Sequence, residues 1–312
     1  MTIAIDCRML DASGVGVYLR GCLPFFLQSE NDFLLLGNTA QLQSFVSENA
    51  KIIECNIKPF SFRELFFFPA QTAKQINKAD IYFAPFFNIS SGIKIPVYTT
   101  IHDIIFPDMP ELSSKSGLAA RMWFFRRAYK KSRKIFTVSE FSKSRIECHL
   151  GREKPVIVTH SAIQPMFLEY RTNAHSVQKK ETVVFIGNIK KHKGLDCLLD
   201  AFYLAKKDSL PHRLVIIGSK ENFRTSDNAI MKKIESIGAD VSFTGFVPDE
   251  TLMEHLSTAA LLVQPSLYEG FCLPPLEAMV LGTGALISDI PVLKEIYSGF
   301  PVTFFNAGNY KI

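Results

Sequence analysis

Short β-rich runs alternate with longer amphipathic stretches along this chain, and the alternation occurs twice, which leaves few folds open to it. The first series runs "TIAIDCRML", "GVYLRGCLPFFLQS", "DFLLLGN", "AQLQSFVSEN", "KIIECNI". It continues through "ADIYFAPF", "VYTTIHDI", a helix-like stretch at 113–134, "KIFTVSE", a helix near 140–150 and "PVIVTH". A βαβα order implies a parallel sheet covered by helices on both faces. The polar stretch "EYRTNAHSVQKKE" then breaks the pattern, as a linker or long surface loop would. The series restarts with "TVVFIGN", a helix at 194–207, "HRLVIIGS", a helix near 226–237 and "VSFTGFV". A helix at 249–259, "ALLVQPS", a helix at 275–281 and "GALISDI" complete it. A length of 312 residues suits two cores better than one. The expectation is therefore an α/β chain of two Rossmann-like, doubly wound domains, 1–165 and 181–312, joined by a linker at 166–180. Ligands of such sheets lie outside the carboxyl ends of the strands, so motifs there carry functional weight.

After the first strand, "DASGVGVYLR" places Gly14 and Gly16 at the start of a helix, where a backbone could approach a phosphate. A dinucleotide fingerprint fails here, because Leu19 stands where the third glycine belongs and the second strand ends in "LLLGN" without a carboxylate. A tight strand-to-helix turn explains the same glycines. The chain contains neither the GxxxxGK[ST] phosphate loop nor an Asp-x-Asp pair, and no acidic or histidine cluster has metal spacing. Phosphate charge would then have to be met by side-chain cations or amides. Lys190, Lys191, His192 and Lys193 lie between the strand "TVVFIG" and Gly194, where they form either a solvated cluster or an anion site.

The stretch "SLYEGFCLPPLEAM" follows the strand "ALLVQPS" and sets Glu269 and Glu277 eight positions apart. Pro274 and Pro275 suit the first positions of a helix. Residues Gly270, Phe271, Cys272 and Leu273 would then form a backbone cradle for an anion, with Glu277 in the first helical turn and Glu269 on the loop. A carboxylate accepts two hydrogen bonds and so suits a vicinal diol. Two of them flanking a phosphate cradle fit a diphosphate with a sugar at each end, a nucleotide sugar.

In this context "EGFCLPPLEAM" resembles the Glu-x7-Glu motif of retaining GT-B glycosyltransferases of family 4. The resemblance extends over essentially the whole chain, through "GVGVYLR", "IHD", "VSEFSKS", "FIGNIKKHKG" and "FTGFVPDETLMEHLSTA". It implies a GT-B fold and a metal-independent, anomer-retaining transfer with no cofactor beyond the donor. It also implies that Glu269 holds donor-sugar hydroxyls, Glu277 the ribose hydroxyls, and Lys193 the diphosphate, helped by the amides of Phe271, Cys272 and Leu273. Gly14 and Gly16 would form the N-domain side of the cleft near the phosphate and acceptor, His102 would sit by the reacting sugar, and Gly245, Phe246 and Val247 would border the base. On the residues alone, His102 is equally a satisfied histidine beside Asp103. Asn188 stands where many members carry arginine, and the "GN...HKG" form resembles the mannosyltransferase-like branch, so GDP-mannose is the leading donor. Cys272 replaces the usual glycine of "EGFG", at little expected cost if only its N–H is used, and Gly284 stands where proline is common. The family usually continues past "NAGNYKI", so the C-terminal domain is expected to be incomplete.

The N-terminus shows no signal-peptide pattern and no apolar run approaches the roughly 20 residues of a membrane span, so a cytoplasmic location is expected. Six scattered cysteines read as reduced and mostly buried thiols. The net charge of +5 is modest, but segment 121–134, "RMWFFRRAYKKSRK", holds seven basic and no acidic residues. It reads either as a helix with Trp123, Phe124 and Tyr129 in the core or as a peripheral contact with anionic lipid. The segment "RELFFFPAQ" invites the same two readings. A saccharide or polyprenyl-diphosphate-linked acceptor, as in O-antigen or capsule assembly, is expected, and nucleic acid is not, since no recognition module is present. A nucleotide-sugar binder without turnover and a GT-B-type epimerase are the competing expectations.

Overall fold

In the computed structural model, the thirteen strands among the described residues lie in two parallel sheets, one in each of two units, Met1–Gln164 and Pro165–Ile312. The structure describes residues 1–173, 177–218 and 228–309. In the first unit the strands are β1 (Thr2–Asp6), β2 (Asp32–Gly37), β3 (Ala50–Glu54), β4 (Ile81–Ala84), β5 (Val97–Thr100), β6 (Ser132–Thr137) and β7 (Val156–Val158). Their spatial order is β3-β2-β1-β4-β5-β6-β7. The helices between them are α1 (Ser13–Leu27), α2 (Thr39–Leu42), α3 (Phe62–Phe66), α4 (Ala70–Ile76), α5 (Ile105–Asp108), α6 (Lys115–Lys131) and α7 (Glu140–Leu150).

The second unit opens with α8 (Pro165–Asn173) and β8 (Thr182–Ile186), then α9 (Leu195–Lys207), β9 (Arg213–Ile217), α10 (Asn228–Ile237) and β10 (Val241–Gly245). It continues with α11 (Asp249–Thr258), β11 (Leu261–Gln264), α12 (Pro274–Val280), β12 (Gly284–Ser288), α13 (Pro291–Tyr297) and β13 (Val302–Phe305). The order β10-β9-β8-β11-β12-β13 reverses between β8 and β11, the switch point at which doubly wound sheets bind ligands.

The central strands β1, β2, β4, β8, β9 and β11 are buried on both faces over most of their length, which is why they appear in the sequence as nearly continuous hydrophobic runs. In the second unit α9 lays Leu195, Leu198, Leu199 and Phe202, spaced at helical period, on Val183, Phe185, Leu214 and Ile216 of β8 and β9. In the first, α6 contributes Phe125 and Tyr129 to a core with Ile101, Ile104, Ile135 and Ile146.

Three sequence expectations change. The segment expected as linker, 166–180, carries α8 over most of its first half, and its residues 174–176 lie outside the described residues, as do 226–227 of the expected helix near 226–237. The helix expected to reach 134 ends at Lys131, so Arg133 and Lys134 are exposed positions of β6. No glycine or proline marks that stop, and the chain turns extended at Ser132, ahead of Ile135 and Thr137 on the buried face of β6. Finally, Trp123 is exposed, and the buried face of α6 is Phe125, Ala128 and Tyr129.

Candidate active site

Two loops leave the carboxyl ends of β8 and β11, which pair with each other through Leu261 and Val183. The first carries Lys191–Lys193 as a 3-10 turn ending at Gly194. Gly194 has φ +69°, and a Cβ there would run into the Pro265 carbonyl of the second loop, so this position needs glycine on both counts. The Leu267 N–H donates to the His192 carbonyl at 2.7 Å, a further tie between the loops. Held this way, Lys193 Nζ donates to both oxygens of Glu269, at 2.7 and 2.9 Å. The Ser266 hydroxyl donates to Glu269 Oε1 at 2.6 Å and accepts from Gln264 Nε2 at 3.0 Å.

Charge state follows from these contacts. Burial pushes the Glu269 carboxyl up, but Lys193 by charge and hydrogen bond, together with the Ser266 hydroxyl, outweighs it and holds the group below the usual carboxylate range. His192 is pushed down to about 4 by burial and by Lys193, against the opposing pull of Glu269, and is neutral at pH 7. The basic run therefore divides: Lys190 and Lys191 are exposed, whereas Lys193 is drawn into the partly buried ion pair.

The loop 270–273 enters α12 with Leu273 as N-cap and prolines at the first positions. Pro274 and Pro275 carry no N–H, so the helix offers fewer end amides than a helix start normally does. The N–H groups of Leu276 and Glu277 both turn back to the Leu273 carbonyl, at 2.9 and 3.0 Å. Cys272 in place of the usual glycine carries a backbone cost that its N–H alone does not reveal. Its φ is +76°, a left-handed conformation that glycine adopts freely and cysteine does not. The buried Tyr297 hydroxyl donates to the Cys272 carbonyl and pins the turn.

Glu277 is buried in the first turn of α12. Burial, with Asp249 nearby, raises its carboxyl to about 7, so the helix end does not offset desolvation. Among the described residues no side chain donates a hydrogen bond to it. Cys272 lies in the field of both Glu269 and Glu277, which places the two carboxylates around one loop.

In the first unit, His102 follows β5. Its Nε2 is 2.8 Å from the Pro85 carbonyl, the Tyr18 ring meets it edge-on at 4.8 Å, and its own carbonyl accepts from Ser142 Oγ. Burial lowers its pKa, so the imidazole is neutral, with the proton on the Nε2 that faces a carbonyl and the lone pair on Nδ1. The histidine is thus satisfied by Pro85, and Asp103 instead accepts from the Ile105 N–H. Gly14 and Gly16 lie in the first turns of α1. A Cβ on Gly16 would strike the Leu10 carbonyl, so packing explains that glycine, while the space beside Gly14 is open. Asn188 lies in the β8 loop, and Phe246 and Val247 follow β10; none is hydrogen-bonded to Lys193 or Glu269.

Residues 167–300 match the family model described as glycosyl transferases group 1. That match lies wholly within the second unit. The O-antigen chain mannosyltransferase B of Escherichia coli is 27% identical over 226 residues, 69% of this chain and 58% of that protein. The O-antigen chain mannosyltransferase RfbU of Salmonella typhimurium is 26% identical over 206 residues, 63% of this chain and 53% of its own length. The match thus spans little more than half of either relative. Among solved structures, Anabaena Alr3699/HepE in complex with UDP-glucose superposes with a TM-score of 0.70 at 17% identity, covering 99% of this chain and 86% of that one. That likeness shows the fold, two Rossmann-like units of the GT-B class.

In the second unit, sequence reasoning missed Gln264, Ser266 and Tyr297, which support Glu269 and its loop. Their signal was weak: "VQPS" reads as an ordinary strand end, although a glutamine in a buried strand is unusual. Among the described residues no group of three or more His, Cys, Asp or Glu side chains could hold a metal.

Proposed function

We propose that the chain is a retaining glycosyltransferase that moves a hexose, mannose as first choice, from a nucleoside diphosphate sugar to a saccharide or lipid-linked saccharide of a bacterial surface polysaccharide. The observation that carries this reading is the Lys193–Glu269 pair at the sheet's switch point, beside the loop 270–273 and a buried Glu277 to which no side chain among the described residues donates.

In this reading Glu277 accepts the ribose hydroxyls and Glu269 the hydroxyls of the transferred sugar. Lys193 and the amides of loop 270–273 meet the diphosphate. Charge builds on the leaving phosphate as its bond to the anomeric carbon breaks, and a fixed cation and amides in a partly dry site stabilise it. The new bond forms to an acceptor oxygen, and the acceptor proton passes to the leaving phosphate. The ionised Glu269 adds negative charge near the oxocarbenium-like carbon. Within the second unit, Asn188, Phe246 and Val247 add donor contacts; within the first, His102 Nδ1 is free to accept from a sugar hydroxyl and Gly14 leaves space for a ligand's backbone approach. The relatives named for O-antigen mannosyl transfer support the mannose choice. The acceptor side would work at the inner face of the cytoplasmic membrane, where the basic run 121–134 meets anionic headgroups. Among the described residues no helix is long and apolar enough to cross a membrane.

The test is transfer from GDP-mannose to a polyprenyl-diphosphate-linked saccharide with excess chelator present. Mannosylated product of retained configuration is expected. Donor binding without transfer to any acceptor would make the chain a binding protein, and full inhibition by chelator rescued by a divalent ion would overturn the metal-free route.

A further inference from the structure

The first unit exposes an aromatic cluster that its own core does not use. Phe62, Phe66 and Phe67 are 68%, 56% and 66% exposed, and Trp123 of α6 is 47% exposed. They fall in two neighbouring groups: Phe62 meets Phe66 at 4.6 Å and Phe67 at 5.7 Å on α3, while Phe60, two residues before α3, meets Phe124 of α6 at 5.7 Å, and Phe124 meets Trp123 at 5.1 Å.

This exposure is fixed by the fold. α3 is anchored by Glu64, which is fully buried and accepts from Arg8, Ser90, Asn88 and the Phe60 N–H. Arg8 is bound at the same time by Asp6, so the anchor is a closed buried charge network. Turning the phenylalanines inward would pull Glu64 out of that network and leave charges unpaired. An apolar patch held open in this way marks an interaction surface.

The surrounding charge names the partner. Across residues 55–70 and 112–134 there are ten basic residues and one acidic residue, Glu64, which is buried. Arg63, Arg126, Lys130 and Lys131 are exposed, and Arg127 lies 5.8 Å over the Trp123 ring. A cationic rim around aromatic side chains fits an anionic lipid surface, with the rings entering the headgroup boundary and the cations remaining among the phosphates. We propose that α3 and the outer face of α6 form a membrane-insertion surface for anionic bilayers, with Phe62, Phe66 and Phe67 as the wedge. This rests on the headgroup contact proposed for 121–134 and adds an apolar, salt-resistant component to it.

Trp123 is the sole tryptophan of the chain, so its emission reports on this patch alone. The full chain is mixed with vesicles of phosphatidylethanolamine and phosphatidylglycerol, or of phosphatidylcholine alone, without donor or acceptor. Binding is thus tested apart from transferase activity. The anionic vesicles should shift Trp123 emission to the blue and carry the protein in flotation. The Phe62→Ala, Phe66→Ala, Phe67→Ala triple variant should lose at least about tenfold in partitioning at high salt, about 1.4 kcal/mol. Its exposed positions leave the fold intact, which a far-UV spectrum checks. Arg126→Glu with Lys130→Glu should remove the salt-sensitive part. No blue shift on anionic vesicles, or an unchanged triple variant, would overturn the proposal. So would a wild-type dimer that the triple variant converts to monomer with no vesicle binding by either, which would make the patch a protein interface.

Discussion

Lys193 and Glu269, 76 positions apart, are joined by two hydrogen bonds of 2.7 and 2.9 Å at the carboxyl ends of neighbouring strands. Glu269 is ionised before any ligand arrives, since Lys193, with the Ser266 hydroxyl, holds it below the usual carboxylate range against its burial. Glu269→Gln keeps the shape and removes the charge. Transfer should fall by two orders of magnitude or more, about 3 kcal/mol of transition-state stabilisation, with free nucleoside diphosphate affinity nearly unchanged. Equal losses in steady-state kcat/KM and in diphosphate affinity would refute a sugar-facing Glu269.

Glu277 makes stability depend on pH in an unusual direction for a carboxylate. Its folded pKa is about 7, above the unfolded value, so the folded state holds the proton more tightly. Stability from this group is therefore fully present below about pH 4.5 and is lost as pH rises to about 7. Glu277→Gln should stabilise the chain at pH 8 by up to about 3 kcal/mol and have little effect at pH 4. Denaturant unfolding at the two pH values reads this, and a gain of equal size at both would show that the carboxyl is not raised.

Cys272 in a left-handed conformation sets up a clean comparison between two replacements that both lack the thiol. Cys272→Gly should be more stable than Cys272→Ala by about 1 kcal/mol, the reverse of their order inside a helix. Urea midpoints decide it, and alanine proving the more stable would contradict the backbone geometry.

Gly194 holds the two site loops together. Gly194→Ala should destabilise by more than the roughly 1 kcal/mol of the left-handed penalty alone, because the new Cβ meets the Pro265 carbonyl. Thermal unfolding with and without nucleoside diphosphate checks it. An alanine variant of wild-type stability and affinity would show that the loops are not locked at this point.

Much of this arrangement is legible from sequence because strands buried on both faces must be apolar, and loops at their carboxyl ends must carry the polar residues of the site. "EGFCLPPLEAM" exposes its plan through local spacing: a loop carboxylate, two prolines at a helix start and a first-turn glutamate. What stays hidden depends on contacts distant in the chain. The meeting of Lys193 with Glu269 follows from strand order, which spacing does not state. The support from Gln264 and Ser266 depends on two side chains that look unremarkable at a strand end. The histidine of "IHD" is neighboured in sequence by Asp103 yet bonded to Pro85, and the aspartate accepts from the Ile105 N–H instead. The end of α6 at Lys131 was equally invisible, since no breaker residue marks it.

The central claim is that the second unit binds the diphosphate of a nucleotide sugar through Lys193. Calorimetric titration of the full chain with GDP, UDP and ADP, without metal, and of Lys193→Ala with whichever binds, tests it most directly. The account expects one nucleoside diphosphate to bind in the micromolar range and the variant to weaken it at least about tenfold, about 1.4 kcal/mol, while the parent nucleoside is unaffected. No binding of any diphosphate, or equal affinity in the variant, would contradict it.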